Sequence, residues 1–322
     1  MNILITGCAG FIGFHLAKKL LEQNKYKIFG VDNLNSYYDT KLKNDRLKKL
    51  KLYKDNFYFK KIDISNLTPL EKFYKQNKFK IVFNLAAQAG VRLSIQNPSI
   101  YFDSNITGFF NILNLSNKYK IKHLIYASSS SVYGDQTKTP FKEDFKTDEP
   151  VSFYAASKKI NEIMAFNYSH THQLSCTGVR FFTVYGPMGR PDMAIHKFTN
   201  NIIRNQKINL YNSGNNLRDF THVDDVTNAL EKIFKKPPKL KTFHRIVNIG
   251  FGQRIKTSYL VSLIEKNLGK KSMKNIMPPQ KGDVKNTQAS NHILKKYYNI
   301  SPKISIEDGI SEYISWFRKY YL

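Results

Sequence analysis

The chain has 322 residues, 41% of them hydrophobic, with 51 Lys and Arg against 24 Asp and Glu, a formal net charge of +27. That length supplies one large core or two unequal domains. No run of about 18 apolar residues interrupts it, and Met1 leads straight into a strand-like run, which excludes a membrane-spanning helix and predicts a cytoplasmic protein. The two cysteines, Cys8 and Cys176, fall in different predicted elements. They offer neither a disulfide framework nor metal-ligand spacing and are expected as buried apolar residues. The basic residues are spread thinly, and the densest run, residues 41–54, has the helical spacing of a solvated face. No basic motif with interleaved stacking aromatics stands beside it, so nucleic acid is not expected as a partner.

Residues 2–6 are an apolar run, and Gly7-Cys8-Ala9-Gly10-Phe11-Ile12-Gly13 then opens a segment of helical period through Phe11, Ile12, Leu16 and Leu20. This reads as strand, glycine turn, helix. Gly7 permits the tight turn, Gly10 lets a pyrophosphate approach the backbone, and Gly13 lets the helix pack on the strand, while the helix N-terminus offers N–H donors and a positive dipole. An ordinary strand-to-helix turn would use the same residues. The second strand, residues 26–31, decides between them, because it ends at Asp32. A carboxylate about 20 residues beyond the turn grips the adenosine ribose and repels a 2′-phosphate, which predicts NAD rather than NADP.

A basic helix follows over residues 39–50, then a strand over 57–62 ending at Asp63-Ile64, where Asp63 meets the adenine amino group. The next strand, 80–85, runs into Ala86-Ala87-Gln88-Ala89-Gly90, small residues that allow close approach of a cofactor. After a helix over 99–119, a strand over 123–127 delivers the hydroxyls of Ser128 to Ser131, and the helix beyond carries Tyr154-Ala155-Ala156-Ser157-Lys158. Tyr154 and Lys158 lie one turn apart on one helix face. The ammonium there is expected to lower the phenol from its ordinary pKa of about 10, making Tyr154 a base near neutral pH.

Strand and helix alternate throughout, which predicts an α/β fold, a Rossmann-type doubly wound parallel sheet with its ligand crevice at the carboxyl ends of the strands. A strand over 174–180 is expected to close that sheet and the first domain, residues 1–180. Residues 181–322 form a smaller C-terminal substrate domain, with a return segment, about 219–250, packing back on the first. Arg218-Asp219-Phe220-Thr221-His222 leads there into Val223-Asp224-Asp225 and a helix to residue 235. The two aspartates suit a first helical turn, the lone His222 reads as structural, and no metal site is expected.

The motifs TGCAGFIG (6–13), LAAQAGVR (85–92), SSSSVYG (128–134), YAASK (154–158), RFFTVYGP (180–187) and RDFTHVDD (218–225) stand in an order that resembles the extended short-chain dehydrogenase/reductase family of nucleotide-sugar epimerases and dehydratases. The resemblance spans nearly the whole chain. Within it, NLNSYYDTKLKNDRL (33–47) and GPMGRPDMA (186–194) are most similar to the UDP-glucuronate 4-epimerases of bacterial polysaccharide synthesis.

That resemblance implies a catalytic set of Ser129, Tyr154 and Lys158. It implies NAD contacts from Gly7, Gly10, Phe11, Ile12, Gly13, Asp32, Asn33, Asp63, Ile64, Leu85, Ala86, Ala87, Tyr154 and Lys158. A UDP-sugar would meet Ser129, Ser130, Thr183, Arg190, Arg218 and Asp283, with Arg218 and Asp283 at the UDP and Thr183 and Arg190 at the sugar carboxylate. It also implies a homodimer formed through two helices per subunit. The implied reaction interconverts UDP-glucuronate and UDP-galacturonate by transient oxidation at C4. A 4-keto-uronate is a β-keto acid that loses carbon dioxide unless its carboxylate is restrained, and a bidentate Arg190 clamp supplies the restraint.

The family pattern is broken at Thr287-Gln288-Ala289-Ser290, where Ser290 replaces an acidic residue. Related 4,6-dehydratases and decarboxylases carry carboxylates just before V-Y-G, where this chain has Ser130 and Ser131, so C5 proton removal and decarboxylation lack their usual acid or base. A UDP-glucose or UDP-N-acetylhexosamine 4-epimerase remains the nearest alternative, one in which Arg190 would have no carboxylate to pair with. A non-catalytic NAD sensor is the alternative from another class, since fold alone does not carry activity.

Overall fold

A computed structural model describes residues 1–239, 242–279, 284 and 286–322. Six strands, β1 (Asn2–Thr6), β2 (Lys27–Asp32), β3 (Phe57–Lys61), β4 (Ile81–Asn84), β5 (His123–Ser129) and β6 (Cys176–Phe181), form a sheet with a seventh, His244–Ile249. Its order is His244–Ile249, β6, β5, β4, β1, β2, β3, and every pairing is parallel. Such strands are covered on both faces, which is why Ile3, Leu4 and Ile5 or Val82 and Phe83 run on without alternation and are fully buried. The winding reverses between β1 and β4, and a crevice opens there beyond the strand ends.

One face of the sheet packs α1 (Phe11–Leu21), α2 (Thr40–Lys51) and the helix Val223–Phe234 through residues such as Phe14, Leu20, Leu47, Val226 and Leu230. The other packs α3 (Leu67–Asn77) and the helices Gly108–Lys118 and Phe153–His172 through Leu70, Tyr74, Ile112 and Ala165. Helix α3 is absent from the sequence reading. It buries Leu70 and Tyr74 one turn apart, with Phe73 partly covered beside them, a short helical period that the sequence reading passed over. A separate cluster of Ile195, Phe198, Ile202, Leu260, Ile264, Ile310 and Phe317 is drawn from beyond the sheet's sixth strand.

Two expectations need correction. The strand over 174–180 does not close the sheet, because His244–Ile249 pairs along its whole length with β6, from Cys176 to Phe181. The segment carrying the helix Val223–Phe234 and this strand therefore lies with the sheet. Helix α2 is also more than a solvated basic face. Leu42, Lys43, Arg46, Leu47 and Leu50 share one side, so Lys43 and Arg46 are turned inward with the leucines. Arg46 donates to the Ala9 carbonyl at 2.8 Å, the Met188 carbonyl at 2.6 Å and the Tyr38 hydroxyl at 2.7 Å. It ties the glycine turn to the loop before Arg190. Among the described residues no helix is long and apolar enough to cross a membrane.

Candidate active site

Every described residue of the predicted set lines one cavity of about 1090 Å³ at the carboxyl ends of the strands. Asp283 lies outside the described residues. At one end the glycine turn explains its own composition. Gly7 has φ +70°, and a Cβ there would stand 2.7 Å from the Ala86 nitrogen, while one on Gly13 would run into the Gly7 carbonyl oxygen. Asp32 closes the turn, accepting from the Ala9 N–H at 3.1 Å and the Leu34 N–H at 2.8 Å through different oxygens. Burial pushes its carboxyl up, opposed by those N–H groups and by Lys43. Each oxygen keeps a lone pair for a further donor.

Asp63 is held by Asn33 at 2.8 Å and by the Ser65 hydroxyl at 2.7 Å. Burial alone would raise its pKa, but these bonds outweigh it and hold the carboxyl below its ordinary value. A pre-formed, uncrowded backbone turn with two carboxyl groups behind it fits the donor set of a dinucleotide: N–H groups for pyrophosphate, carboxyl oxygens for ribose and adenine.

At the catalytic end, Ser129 finishes β5, its hydroxyl donating to Ser131 at 3.1 Å. Tyr154 stands in the first turn of the helix Phe153–His172, whose start is capped by Ser152 accepting from the Ala155 N–H at 3.1 Å. A π-helical turn, Phe102–Thr107, brings Asn105 against that helix, donating to the Ser157 hydroxyl at 3.0 Å and to the Gln88 carbonyl at 3.0 Å. Such turns recur at functional sites.

Lys158 differs from expectation. Its ammonium donates to the Ala127 carbonyl at 2.9 Å and stands 6.0 Å from the centre of the Tyr154 ring. Burial pushes the Lys158 ammonium down to about 8. Burial also pushes the Tyr154 phenol up, and the groups that pull it down are the Ser129 hydroxyl and the Arg190 charge rather than Lys158.

At the sugar end, Thr183, Ser130 and Arg218 face the cavity, and the Arg218 guanidinium donates back to the Leu217 carbonyl at 3.1 Å. Arg190 is not an open fork. Its Nε and Nη2 donate to the two oxygens of Asp192 at 3.0 and 2.5 Å, and the Tyr37 hydroxyl donates to the same carboxylate at 3.1 Å. A bidentate partner is therefore already built into the site. Tyr37 and Asp192 lie within the stretches 33–47 and 186–194, but their pairing across 155 positions leaves no local spacing to read. The buried Lys43 on α2 and Arg92, which lies over the Tyr211 ring, are further cavity cations that the sequence reading passed over.

Thr287 and Ala289 turn out to fasten the segment to Asp219, Thr287 through its hydroxyl to the Asp219 N–H and Ala289 through its N–H to the carboxylate. His222 accepts from the Asp224 N–H at 3.3 Å, which leaves the proton on Nε2, 3.5 Å from Glu312. His222, Asp224 and Glu312 bring one possible ligand atom each within 4.8 Å of one another, the two carboxylates being exposed.

A Rossmann sheet with a dinucleotide cradle and a Ser, Tyr and Lys group in one cleft defines a nicotinamide-dependent enzyme of the short-chain type. Residues 3–250 match the model of the NAD dependent epimerase/dehydratase family. Protein CapI of Staphylococcus aureus is 47% identical, the match covering 100% of this chain and 99% of that protein. The UDP-glucuronate 4-epimerase of Thermodesulfobacterium geofontis is 41% identical over 97% of this chain and 95% of its own length. The crystal structure of UDP-glucuronic acid 4-epimerase from Bacillus cereus, in complex with UDP-glucuronic acid and NAD, superposes with a TM-score of 0.93 at 30% identity, covering 100% of both chains. The chain belongs to the NAD dependent epimerase/dehydratase family, and its cofactor is NAD.

Proposed function

We propose that the chain is a UDP-glucuronate 4-epimerase, interconverting UDP-glucuronate and UDP-galacturonate. The observation that carries this reading is the meeting, in one cavity, of the Ser129, Tyr154 and Lys158 group with Thr183 and the Arg190 guanidinium. Residues 1–180 would hold NAD and residues 181–322 would supply most of the UDP-sugar side. The B. cereus protein, whose complex holds UDP-glucuronic acid and NAD, supports the reading.

NAD, when bound, supplies the acceptor for the hydride on C4. Tyr154 takes the proton of the 4-hydroxyl as that hydride leaves, so the phenol must ionise in the working site. The Ser129 hydroxyl, whose pull lowers the Tyr154 phenol, steadies the developing charge and the 4-oxygen. Lys158 contributes a fixed positive charge behind the strand end. Arg218 anchors the UDP while the 4-keto sugar turns over, and the hydride then returns to the opposite face, Tyr154 giving its proton back. Arg190 and Thr183 hold the C5 carboxylate away from the alignment in which a β-keto acid loses carbon dioxide.

One observation favours a second reading. A neutral sugar would not leave Arg190 unpaired, because Asp192 already neutralises it. That weakens the objection to a UDP-glucose or UDP-N-acetylhexosamine 4-epimerase. Incubation with UDP-glucuronate, UDP-glucose and UDP-N-acetylglucosamine, followed by NMR at C4, tests the two readings against each other. Inversion of the uronate is expected, and preference for a neutral sugar would replace the first reading with the second. Cytoplasmic polysaccharide-precursor synthesis is the setting that suits this activity. A homodimer is also part of the proposal, since Phe102, Phe110, Ile163 and Phe166 leave exposed apolar side chains on two neighbouring helical segments.

A further inference from the structure

The cluster of Tyr37, Arg190 and Asp192 lines the cavity within reach of the catalytic phenol. Tyr37 stands against Gly90, whose carbonyl accepts from the Tyr101 hydroxyl at 2.6 Å, and the Tyr101 ring lies 6.2 Å from that of Tyr154. The side chains of Arg190 and Asp192 are only 23% and 24% exposed, so their pairing is shielded and neither charge is solvated freely. Asp192 occupies the Nε and Nη2 edge of the guanidinium, the edge best shaped for a carboxylate. A second carboxylate arriving there must displace Asp192 or share the guanidinium with it, and two anions on one cation repel.

We propose, building on the uronate reading, that Asp192 is a resident counter-ion that sets sugar selectivity. It neutralises Arg190 when a neutral hexose is bound and yields the guanidinium to a substrate carboxylate, its own charge then held by the Tyr37 hydroxyl. Exchanging one charge-assisted pair for another is close to balanced. Selection for the uronate is therefore modest, and neutral hexoses are admitted. Without Asp192 the uronate meets Arg190 unopposed, whereas a neutral sugar leaves a shielded guanidinium unpaired. Without the Tyr37 hydroxyl the displaced Asp192 has lost its second partner, so only the uronate suffers.

The test uses the NAD-loaded full chain, with KM and kcat measured for UDP-glucuronate and UDP-glucose in the wild type, Asp192→Asn and Tyr37→Phe. Asp192→Asn should lower KM for UDP-glucuronate by about fivefold and raise it for UDP-glucose by about as much. Tyr37→Phe should raise KM for UDP-glucuronate alone, by about threefold. A merely structural Asp192 would move both substrates in the same direction, and that result overturns the proposal. If Asp192→Asn fails to retain NAD, Tyr37→Phe decides by itself: equal changes on both sugars overturn the proposal and a uronate-only change supports it. A wild type inert on UDP-glucuronate removes the uronate reading and this inference together, while an active wild type with unchanged substrate ratios in both variants removes the inference alone.

Discussion

The Lys158 ammonium donates 2.9 Å to the Ala127 carbonyl, on the strand that ends at Ser129, and not to the Tyr154 hydroxyl one helical turn away. The ammonium thus pins helix to strand, 6.0 Å from the centre of the Tyr154 ring. Burial lowers this ammonium from 10.5 to about 8. Activity should therefore fall as pH rises above about 8, when Lys158 loses its proton. Stability should move the other way. The folded state holds that proton less tightly than the unfolded chain does, so between about 8 and 10.5 the unfolded state binds more protons and stability rises with pH. A kcat/KM profile beside thermal unfolding in the same buffers checks both limbs, and an alkaline loss of activity that tracks unfolding would contradict the assignment.

Tyr154→Phe removes the proton acceptor and leaves the rest of the cavity wall in place. Turnover should drop by roughly 10²-fold to 10⁴-fold, the usual worth of a positioned general base, with NAD content unchanged. Near-normal turnover would move the base elsewhere.

Asp32 accepts two backbone N–H groups and retains capacity for ribose hydroxyls. The purified protein should carry or bind NAD in preference to NADP. Asp32→Asn should weaken NAD by about 1.5 to 3 kcal/mol, the range for a hydrogen bond to a charged group, and narrow the gap between the two cofactors. Titration of both nucleotides by calorimetry measures this, and tighter binding of NADP by the wild type would refute the role given to Asp32.

Phe166 and Ile163 are 60% and 57% exposed on the helix that carries Tyr154. If that face pairs two copies, Phe166→Glu places a charge at the twofold contact and should convert a dimer into monomers in light scattering. A wild type that is already monomeric would remove the proposed assembly.

The sequence disclosed what short spacings can encode. The glycine turn with Asp32 and the Tyr154 and Lys158 pair depend on residues close in the chain, and their chemistry is set by turn geometry and one helical turn. The pairing of Asp192 with Tyr37 was illegible for the opposite reason, being made only when the segment between β2 and α2 and the loop after Gly189 fold over the same cavity. The strand His244–Ile249 escaped notice because its partner β6 lies far back in the chain, and parallel pairing leaves no local hairpin signal. Lys43 and Arg46 looked like part of a solvated run because a charge does not show which helix face it shares with leucines.

The central claim is inversion at C4 by a hydride that leaves and returns within the same site. UDP-[4-²H]glucuronate incubated in ordinary water with the NAD-loaded protein measures it most directly, with the product read by NMR. The account predicts UDP-galacturonate that keeps deuterium at C4. Product carrying hydrogen from the solvent at C4, or no uronate product while UDP-glucose is inverted, would contradict it.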